Sequence, residues 1–488
     1  MDNQYNLAVD RLNGRLFVPY QHDGVKWLLA MENQTTGPKG GFLCDEMGLG
    51  KTIQLISMML GNLKARTLII VPKSIISQWA QEISTFAGGI LSVNIFDGPN
   101  RRLEPAVVTI APYSLLSAKG VRLDEKTPLH HVRWDRIILD EAHEIRNRKS
   151  KSFQSISKLQ TDIKWIVTGT PVYNSLADFI TLCQFLGIPQ DFVQHRHNEI
   201  KDIYILRRTK DDLALHNARL QLPPCHFENV ELEMYDEEKA LYQQVFLEAQ
   251  GIIQEAFRTG TSSYKNMIIL ECLLRARQCM IWPQMYYDGM AFKHKLDQTP
   301  IYEGRSKKME TLFRLIDEHP DEKSLIFCQF KGEMNLIQKH LYGKRHVFRL
   351  DGSVSKDGRS AQIENFKASP GGSVFLIQIK CGGVGLNLQE ATRVYITGPS
   401  WNPATELQAI GRSHRMGQTQ VVHVKKLIYK ESVRFISVEE EMMKLQGHKS
   451  MICSEVLNDP RVKNQIPTGD REPSASISIL DIKKIFRA

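Results

Sequence analysis

GGFLCDEMGLGKTIQLISMML, residues 40–60, is the run on which the reading of the chain turns. GGFLC is a short apolar segment, DEMGLGKT at 45–52 a glycine-rich loop, and IQLISMML a helical run. Strand, glycine loop and helix in that order bring backbone N–H groups and a helix N-terminus to a phosphate. In such a loop Met47, Gly48, Leu49 and Gly50 cradle the phosphates, Lys51 reaches the β- and γ-phosphates, and Thr52 holds Mg²⁺. The strict pattern G-x-x-x-x-G-K-[ST] fails at its first place, Asp45. Taken alone, the run therefore also fits an ordinary helix start with a surface lysine.

Outward from this loop the chain repeats one rhythm of strand, loop and helix. TLIIVP (67–72), VVTIAPY (107–113), RIILDEAH (136–143) and WIVTGTP (165–171) are short β-branched apolar runs of the kind that form buried parallel strands. SLIFCQF (324–330), HVFRLDG (346–352), SVFLIQI (373–379) and RVYITG (393–398) repeat the pattern downstream. The repetition predicts an α/β fold of two doubly wound parallel-sheet lobes. Between them, YDEEKALYQQVFLEAQGIIQEAF (235–257) and KNMIILECLLRARQCM (265–280) have helical periodicity, and DGMAFKHKLDQTPIYEGR (288–305) reads as a loop. NDPRVKNQIPTGDREPSAS (458–476) reads as a flexible linker, and ILDIKKIF (479–486) as a short amphipathic helix that docks back. The expected organisation is an N-terminal extension (1–15), a nucleotide-binding first lobe (16–205), a helical bridge or insertion (206–305), a second lobe (306–450), and a linker with its docking helix (451–488).

Two further runs complete the chemistry. DEAH (140–143) ends the strand RIIL, where a parallel sheet places carboxylates at its ligand-binding edge. There Asp140 serves the Mg²⁺ shell and Glu141 polarises the attacking water. Standing alone, the pair also reads as two solvated loop acids; together with Lys51 it is far more specific. In QAIGRSHRMGQ (408–418), Gln408, Arg412 and Arg415 fall at i, i+4 and i+7, which predicts one face of a helix. Two arginines there can complete a γ-phosphate site, an effect worth roughly 10³–10⁵ in rate in well-measured NTPases. TGTP (168–171) offers hydroxyls that sense phosphate or merely a turn. KCGGVGLNLQEA (380–391) offers glycines, among them Gly385, that let backbone approach a phosphate, and Asn387, which bonds backbone or sugar.

Composition narrows the class less. Of 488 residues, 42% are apolar and 24% charged, an ordinary globular balance with two to four structural units. No apolar run is long enough for a membrane helix, and the first residues lack the apolar core of a secretory signal. The eight cysteines include no CxxC pair, so no zinc site is expected, and they read as reduced core residues. The net charge of +9 fits a polyanionic partner but is small for the length.

In order along the chain, DEMGLGKT, IIVPKSIISQW, DEAH, TGTP, LRRTK, SLIFCQF, GGVGLNL, SWNPA and QAIGRSHRMGQ resemble the Swi/Snf-type DNA-dependent ATPases of helicase superfamily two. The likeness runs from 16 to 450, and RARQCMIWPQM (275–285) and the terminal SISILDIKKIF resemble the branch of helicase-like transcription factor and lodestar. That branch often carries a RING finger, but 281–305 contains no cysteine, so ubiquitin-ligase activity is not carried over. The resemblance implies RecA-like lobes with helical insertions between them, ATP and Mg²⁺ as nucleotide and metal, and a monomer that translocates on double-stranded DNA. Such a motor remodels or displaces DNA-bound protein such as nucleosomes, without unwinding strands, and acts in the nucleus or, for a viral source, in the host cell or virion. It further implies adenine recognition by Tyr20 and Gln21, a nucleotide-site role for Gly385 and Gln408, and DNA contacts at Lys73, Ser74, Asp351, Gly352, Asn387, Trp401 and Asn402. Departures from the family pattern stand at Cys44, Gly398, Ser400 and Gly411. The readings set against this one are an RNA-dependent helicase, since DEAH occurs there too, and a catalytically idle DNA-binding scaffold.

Overall fold

The computed structural model of the chain describes residues 2–17, 19–117, 127–169, 176–210, 212–213, 222–260, 262–381, 386–415, 417–432, 435–457 and 479–488. They form two compact units, the first within residues 1–221 and 451–463 and the second within 222–450 and 464–488.

In the first unit seven strands lie parallel: β1 (Lys39–Leu43), β2 (Thr67–Val71), β3 (Val93–Ile95), β4 (Val108–Pro112), β5 (Arg133–Asp140), β6 (Gln160–Val167) and β7 (Ile205–Leu206). Their order is β3-β4-β2-β5-β6-β1-β7. β2 and β4 are buried at every position, which is why their sequences are unbroken apolar runs rather than alternating ones. Because every neighbouring pair is parallel, the loops after β1, β2, β5 and β6 all leave from one edge of the sheet. The N-terminal helix Asp2–Asp10 is part of this unit, and Arg11 Nη1 donates to Leu60 O at 2.9 Å.

A polar knot sits in the middle of this core. Glu32 and Arg136 form a two-pronged ion pair with both side chains essentially inaccessible. Trp165 Nε1 and Asn62 Nδ2 also donate to the Glu32 carboxylate, at 2.9 and 2.6 Å, and Arg136 reaches Asn62 O at 2.8 Å. The pair thereby ties the helix Tyr20–Asn33 to β5 and β6.

The second unit has six parallel strands: β8 (Cys225–Leu232), β9 (Ser324–Cys328), β10 (Val347–Leu350), β11 (Val374–Gln378), β12 (Arg393–Ile396) and β13 (Val422–Tyr429), in the order β10-β11-β9-β12-β13-β8. β9 to β12 are the four downstream runs read from sequence. β8 and β13 were not anticipated, although they pair over eight residues, from Val422↔Cys225 to Tyr429↔Leu232. β8 is an edge strand with most positions exposed, so it lacks an apolar signature. β13 carries Lys425 and Lys426 in mid-strand, and Lys426 is buried only because Glu406 pairs with it at 2.9 Å.

The helices Asp236–Arg258, Ser263–Ile281 and Pro283–His294 pack into this unit's own core: Tyr242, Ile253, Ala276 and Met280 join Leu312, Ile326 and Tyr395 in one cluster. The expected loop at 288–305 starts later than its sequence suggested. The helix continues through buried Ala291 to His294 and ends where Lys295 takes a φ of 52°. The linker expected at 458–476 lies outside the described residues. The docking helix is present as Ile479–Ile485; Phe486 stacks on Phe246 with centroids 5.0 Å apart, and its carbonyl accepts from Gln250 Nε2 at 2.7 Å. No described helix is long and apolar enough to cross a membrane. Among the described residues no three His, Cys, Asp or Glu side chains gather as a metal site, and Cys44, Cys183, Cys225, Cys272, Cys279, Cys328 and Cys381 are free thiols.

Arg136→Met strands the Glu32 carboxylate in the core. It should cost about 3–5 kcal/mol of stability, seen as a lowered midpoint in chemical denaturation; an unchanged midpoint would show that the knot does not hold the first unit.

Candidate nucleotide site

The loop after β1 has the conformation its glycines allow. Gly48 and Gly50 take φ of 91° and 76°, and Lys51 opens the helix Lys51–Gly61. A Cβ on Gly50 would lie 2.4 Å from Gln21 Nε2. Gln21 is buried; it accepts from Phe17 N at 2.8 Å and donates to Leu49 O at 3.1 Å, so it fixes the loop from behind. Lys51 Nζ donates to Asp45 O at 2.8 Å and to Glu46 O at 3.5 Å, resting on the loop's own carbonyls. Thr52 is the next helical residue. A Cβ on Gly169 would lie 3.3 Å from Met47 Cγ and 3.9 Å from Lys51 Nζ, so the end of β6 borders the loop. Thr170 and Pro171 of TGTP lie outside the described residues.

Asp45, the position that breaks the glycine pattern, has a fully buried carboxylate. Arg208 grips it with two prongs, Nε to Oδ1 at 2.9 Å and Nη2 to Oδ2, and the Arg208 amide adds a bond to Oδ1 at 3.1 Å. Gln54 Nε2 donates to Oδ2 at 3.1 Å, and Arg208 lies over the Tyr20 ring at 5.3 Å. Arg207 Nη1 meanwhile donates to Gly169 O at 3.3 Å and approaches Cys44 O at 3.5 Å. Cys44 packs as a small apolar residue; burial pushes its thiol up to about 12.

The acids after β5 share this sheet edge. Asp140 accepts from Trp79 Nε1 at 2.8 Å and from the Glu141 amide at 2.9 Å, and its carbonyl accepts from Tyr113 Oη at 2.9 Å. Glu141 sits in the left-handed region at φ 50°, a conformation that a non-glycine residue holds at a cost of order 1–3 kcal/mol. His143 Nδ1 lies 3.3 Å from Glu141 Oε2. Burial, and then the charge of Glu141, push the Asp140 carboxyl up to about 6, while Trp79 and the positive charge of Lys51 oppose them. Two adjacent acids short of positive charge at a phosphate loop suit a divalent cation, with Thr52 and Asp140 as the oxygen donors.

In the second unit the single helical face expected for Gln408, Arg412 and Arg415 is not formed. The helix Pro403–Ile410 ends two residues before Arg412. Beyond it the amides of 411–414 still turn back onto the carbonyls of 407–410, while Arg412 O accepts from Leu388 N at 3.0 Å and the Ser413 side chain donates to Ala391 O. Gly411, a poor helix former, stands at the break. Arg412 is buried, whereas Arg415 is half-buried with Nη1 at 3.4 Å from Leu386 O. The arginine segment is thus stitched to 386–391, a connection invisible in sequence. Gly385 lies outside the described residues.

The residues expected on DNA fall into two groups. Lys73 and Ser74 are exposed just beyond β2, with Lys73 at 3.4 Å from Asp97; Gly352 and Asn387 are exposed as well. Asp351 is buried: its carboxylate accepts from the Ser353 amide and from Arg349 Nε, each at 2.8 Å. Against the effect of burial, these bonds hold it well below the usual carboxylate range. Trp401 is half-buried against the core and Asn402 is buried.

The sequence profile of the SNF2-related domain matches residues 20–198 and 190–285, and that of the helicase conserved C-terminal domain matches 307–417. The chain belongs to the SNF2-related family. This SNF2-related chain is 30% identical over 501 residues to the putative ATP-dependent helicase/translocase YwqA of Bacillus subtilis, covering 94% of the chain and 51% of that protein. It is 28% identical over 484 residues to the ISWI chromatin-remodeling complex ATPase ISW1 of Saccharomyces cerevisiae, covering 91% and 41%. It is likewise 28% identical over 514 residues to the human helicase-like transcription factor, covering 80% and 50%. The chain therefore spans about half the length of the curated relatives it matches.

The SNF2-related site contains two residues that sequence reasoning passed over, Arg207 and Arg208, which served there only as part of a family mark. The available signal was a pair of arginines directly after a two-residue strand that abuts β1, with Leu206 beside Leu43. Arg208→Lys keeps the charge but loses the fork. It should weaken binding of a fluorescent ATP analogue by about tenfold, or 1.4 kcal/mol; unchanged affinity in the titration would detach the Asp45 pair from loop geometry.

Proposed function

We propose that the chain is an ATP hydrolase that translocates on double-stranded DNA and so remodels or displaces DNA-bound protein, without separating the strands. The observation that carries this reading is the gathering of Lys51, Asp140 and Glu141 at one sheet edge, on a loop fixed by Asp45, Arg208 and Gln21. Lys51 exchanges the loop carbonyls for the β- and γ-phosphates. Glu141 polarises the attacking water, with His143 beside it. Mg²⁺, held by Thr52 and Asp140, supplies neutralising charge at the phosphates when bound. Gln21, with Tyr20, borders the adenine side, and Gly385 and Gln408 serve the nucleotide from the second unit. Arg412 and Arg415 are the charges that unit contributes to the transition state.

DNA is held through its backbone by Lys73 and Ser74 in the first unit and by the exposed Gly352 and Asn387 in the second, where the Trp401–Asn402 segment touches the groove. Backbone contacts carry no base sequence. Asp351 acts indirectly, shaping the loop that exposes Gly352. Support for a DNA or chromatin substrate comes from the names of the relatives, a helicase/translocase and a chromatin-remodeling ATPase. Within the family we favour the branch of helicase-like transcription factor on the strength of RARQCMIWPQM and the docked terminal helix. A chromatin substrate would place the action in the nucleus.

ATP turnover should be slow alone and rise with duplex DNA, more than with RNA; equal rates with and without duplex would end the translocase reading. Lys51→Ala should abolish turnover. Glu141→Gln should still bind nucleotide while losing hydrolysis by about 10²–10⁴-fold, read by parallel binding and phosphate-release assays. DNA affinity should fall log-linearly with salt, as phosphate contacts require.

A further inference from the structure

In the second unit the irregular segment 398–400 is held by side chains rather than by regular backbone pairing. Its three successive carbonyls each accept from a different side chain: Gly398 O from Gln329 Nε2 at 3.0 Å, Pro399 O from Arg277 Nη2 at 3.0 Å, and Ser400 O from Gln446 Nε2. The Ser400 amide donates to Glu406 Oε1 at 2.7 Å. These side chains are also joined in pairs, Arg277 Nη2 donating to Gln329 Oε1 at 3.1 Å and Gln446 Nε2 to Glu406 Oε1 at 2.9 Å. They come from separate parts of the unit: Arg277 from the helix Ser263–Ile281, Gln329 from the end of β9, and Gln446 from the helix Val438–Leu457. Backbone carbonyls must find donors somewhere, so the shape of this segment is dictated by the helices that supply them. Trp401 and Asn402 follow at once, and then the helix leading to Arg412.

We propose that Arg277 and Gln446 are positioning residues for DNA-stimulated turnover: by clamping 398–400 they set the Trp401–Asn402 segment for contact with the DNA groove, and so make the helices around β9 part of the grip. The inference rests on the translocase reading above. A purely structural clamp would, on removal, lower stability and reduce basal and stimulated turnover together. A positioning clamp acts on the DNA dependence alone.

The experiment uses the full chain with Arg277→Met, Gln446→Met and Arg277→Lys, following ATP turnover against duplex DNA concentration, with thermal unfolding in parallel. The two methionine variants should raise the DNA concentration at half-maximal stimulation roughly tenfold while the DNA-free rate stays within about twofold of wild type. Arg277→Lys should recover most of the loss, because a single Arg277 nitrogen makes both bonds. If Arg277→Met fails to fold, Gln446→Met decides. Unaltered DNA dependence in a folded variant, or equal loss of basal and stimulated rates, overturns the proposal. A wild-type chain that duplex DNA does not stimulate overturns the translocase reading and the clamp with it, whereas a stimulated wild type with unaltered variants overturns the clamp alone.

Discussion

The buried ion pair between Asp45 and Arg208 is the constraint on which the candidate site depends. A carboxylate fully removed from water is tolerable only when its partners are close and its lone pairs are filled. Asp45 meets both conditions through the Arg208 fork, the Arg208 amide and Gln54. The pair joins the start of the phosphate loop to the chain leaving β7, and Arg208 also reaches the Tyr20 carbonyl at the head of the helix Tyr20–Asn33. The other end of the loop is fixed by Gln21 on Leu49. A glycine loop anchored at both ends holds its amides in a fixed direction, the condition under which backbone dipoles are most effective. The departure at Asp45 is therefore part of how this loop is built.

The second unit solves an equivalent problem with a lysine. Lys308 is fully buried, paired with Glu439, and its amide donates to Tyr429 Oη at 3.0 Å, which in turn donates to Glu238 at 3.1 Å. Burial pulls the Lys308 amine below its ordinary range while Glu439 opposes the shift. This network explains Gly398, one of the departures from the family pattern. A Cβ there would lie 2.8 Å from Glu439 Oε1, so the carboxylate from the helix Val438–Leu457 occupies the space a side chain would need. At Ser400 the backbone carbonyl and amide engage Gln446 and Glu406, bonds any non-proline residue there could make, and nothing in the structure explains the serine side chain.

How legible all this was depends on where the determining contacts lie along the chain. β2, β4, β9 and β11 announce themselves because strands covered on both faces must be apolar throughout. β8 was hidden because an edge strand has no such requirement, and β13 because Lys426 is made burial-compatible by Glu406, twenty residues away. Lys51, Asp140 and Glu141 were legible as types at fixed spacing. Arg208 was not, because its role lies in reaching a carboxylate that sequence alone shows only as a defect in a pattern. The helix at 236–258 was read nearly to the residue; its membership in the second unit's core depends on Phe246 meeting Phe486, a pairing no local periodicity encodes.

The failure of the one-face helix for Gln408, Arg412 and Arg415 carries the most mechanical content. Periodicity places the arginines on a rod that continues the helix Pro403–Ile410. The structure instead ends the rod at Ile410 and ties 412–418 to 386–391 by one backbone carbonyl and two side chains: Leu388 N donates to Arg412 O, the Ser413 hydroxyl to Ala391 O, and Gln418 Nε2 to Gln389 O at 2.8 Å. A rod would let the arginines follow the helix that begins beside Trp401. The stitched arrangement makes them follow 386–391 as well, so a shift in either segment must be shared by both. Packed cores pass on such shifts as discrete rearrangements rather than by gradual bending. The arginine segment is thereby tied at once to the stretch that carries Asn387 on one side and, through the helix Pro403–Ile410, to the clamped Trp401–Asn402 segment on the other.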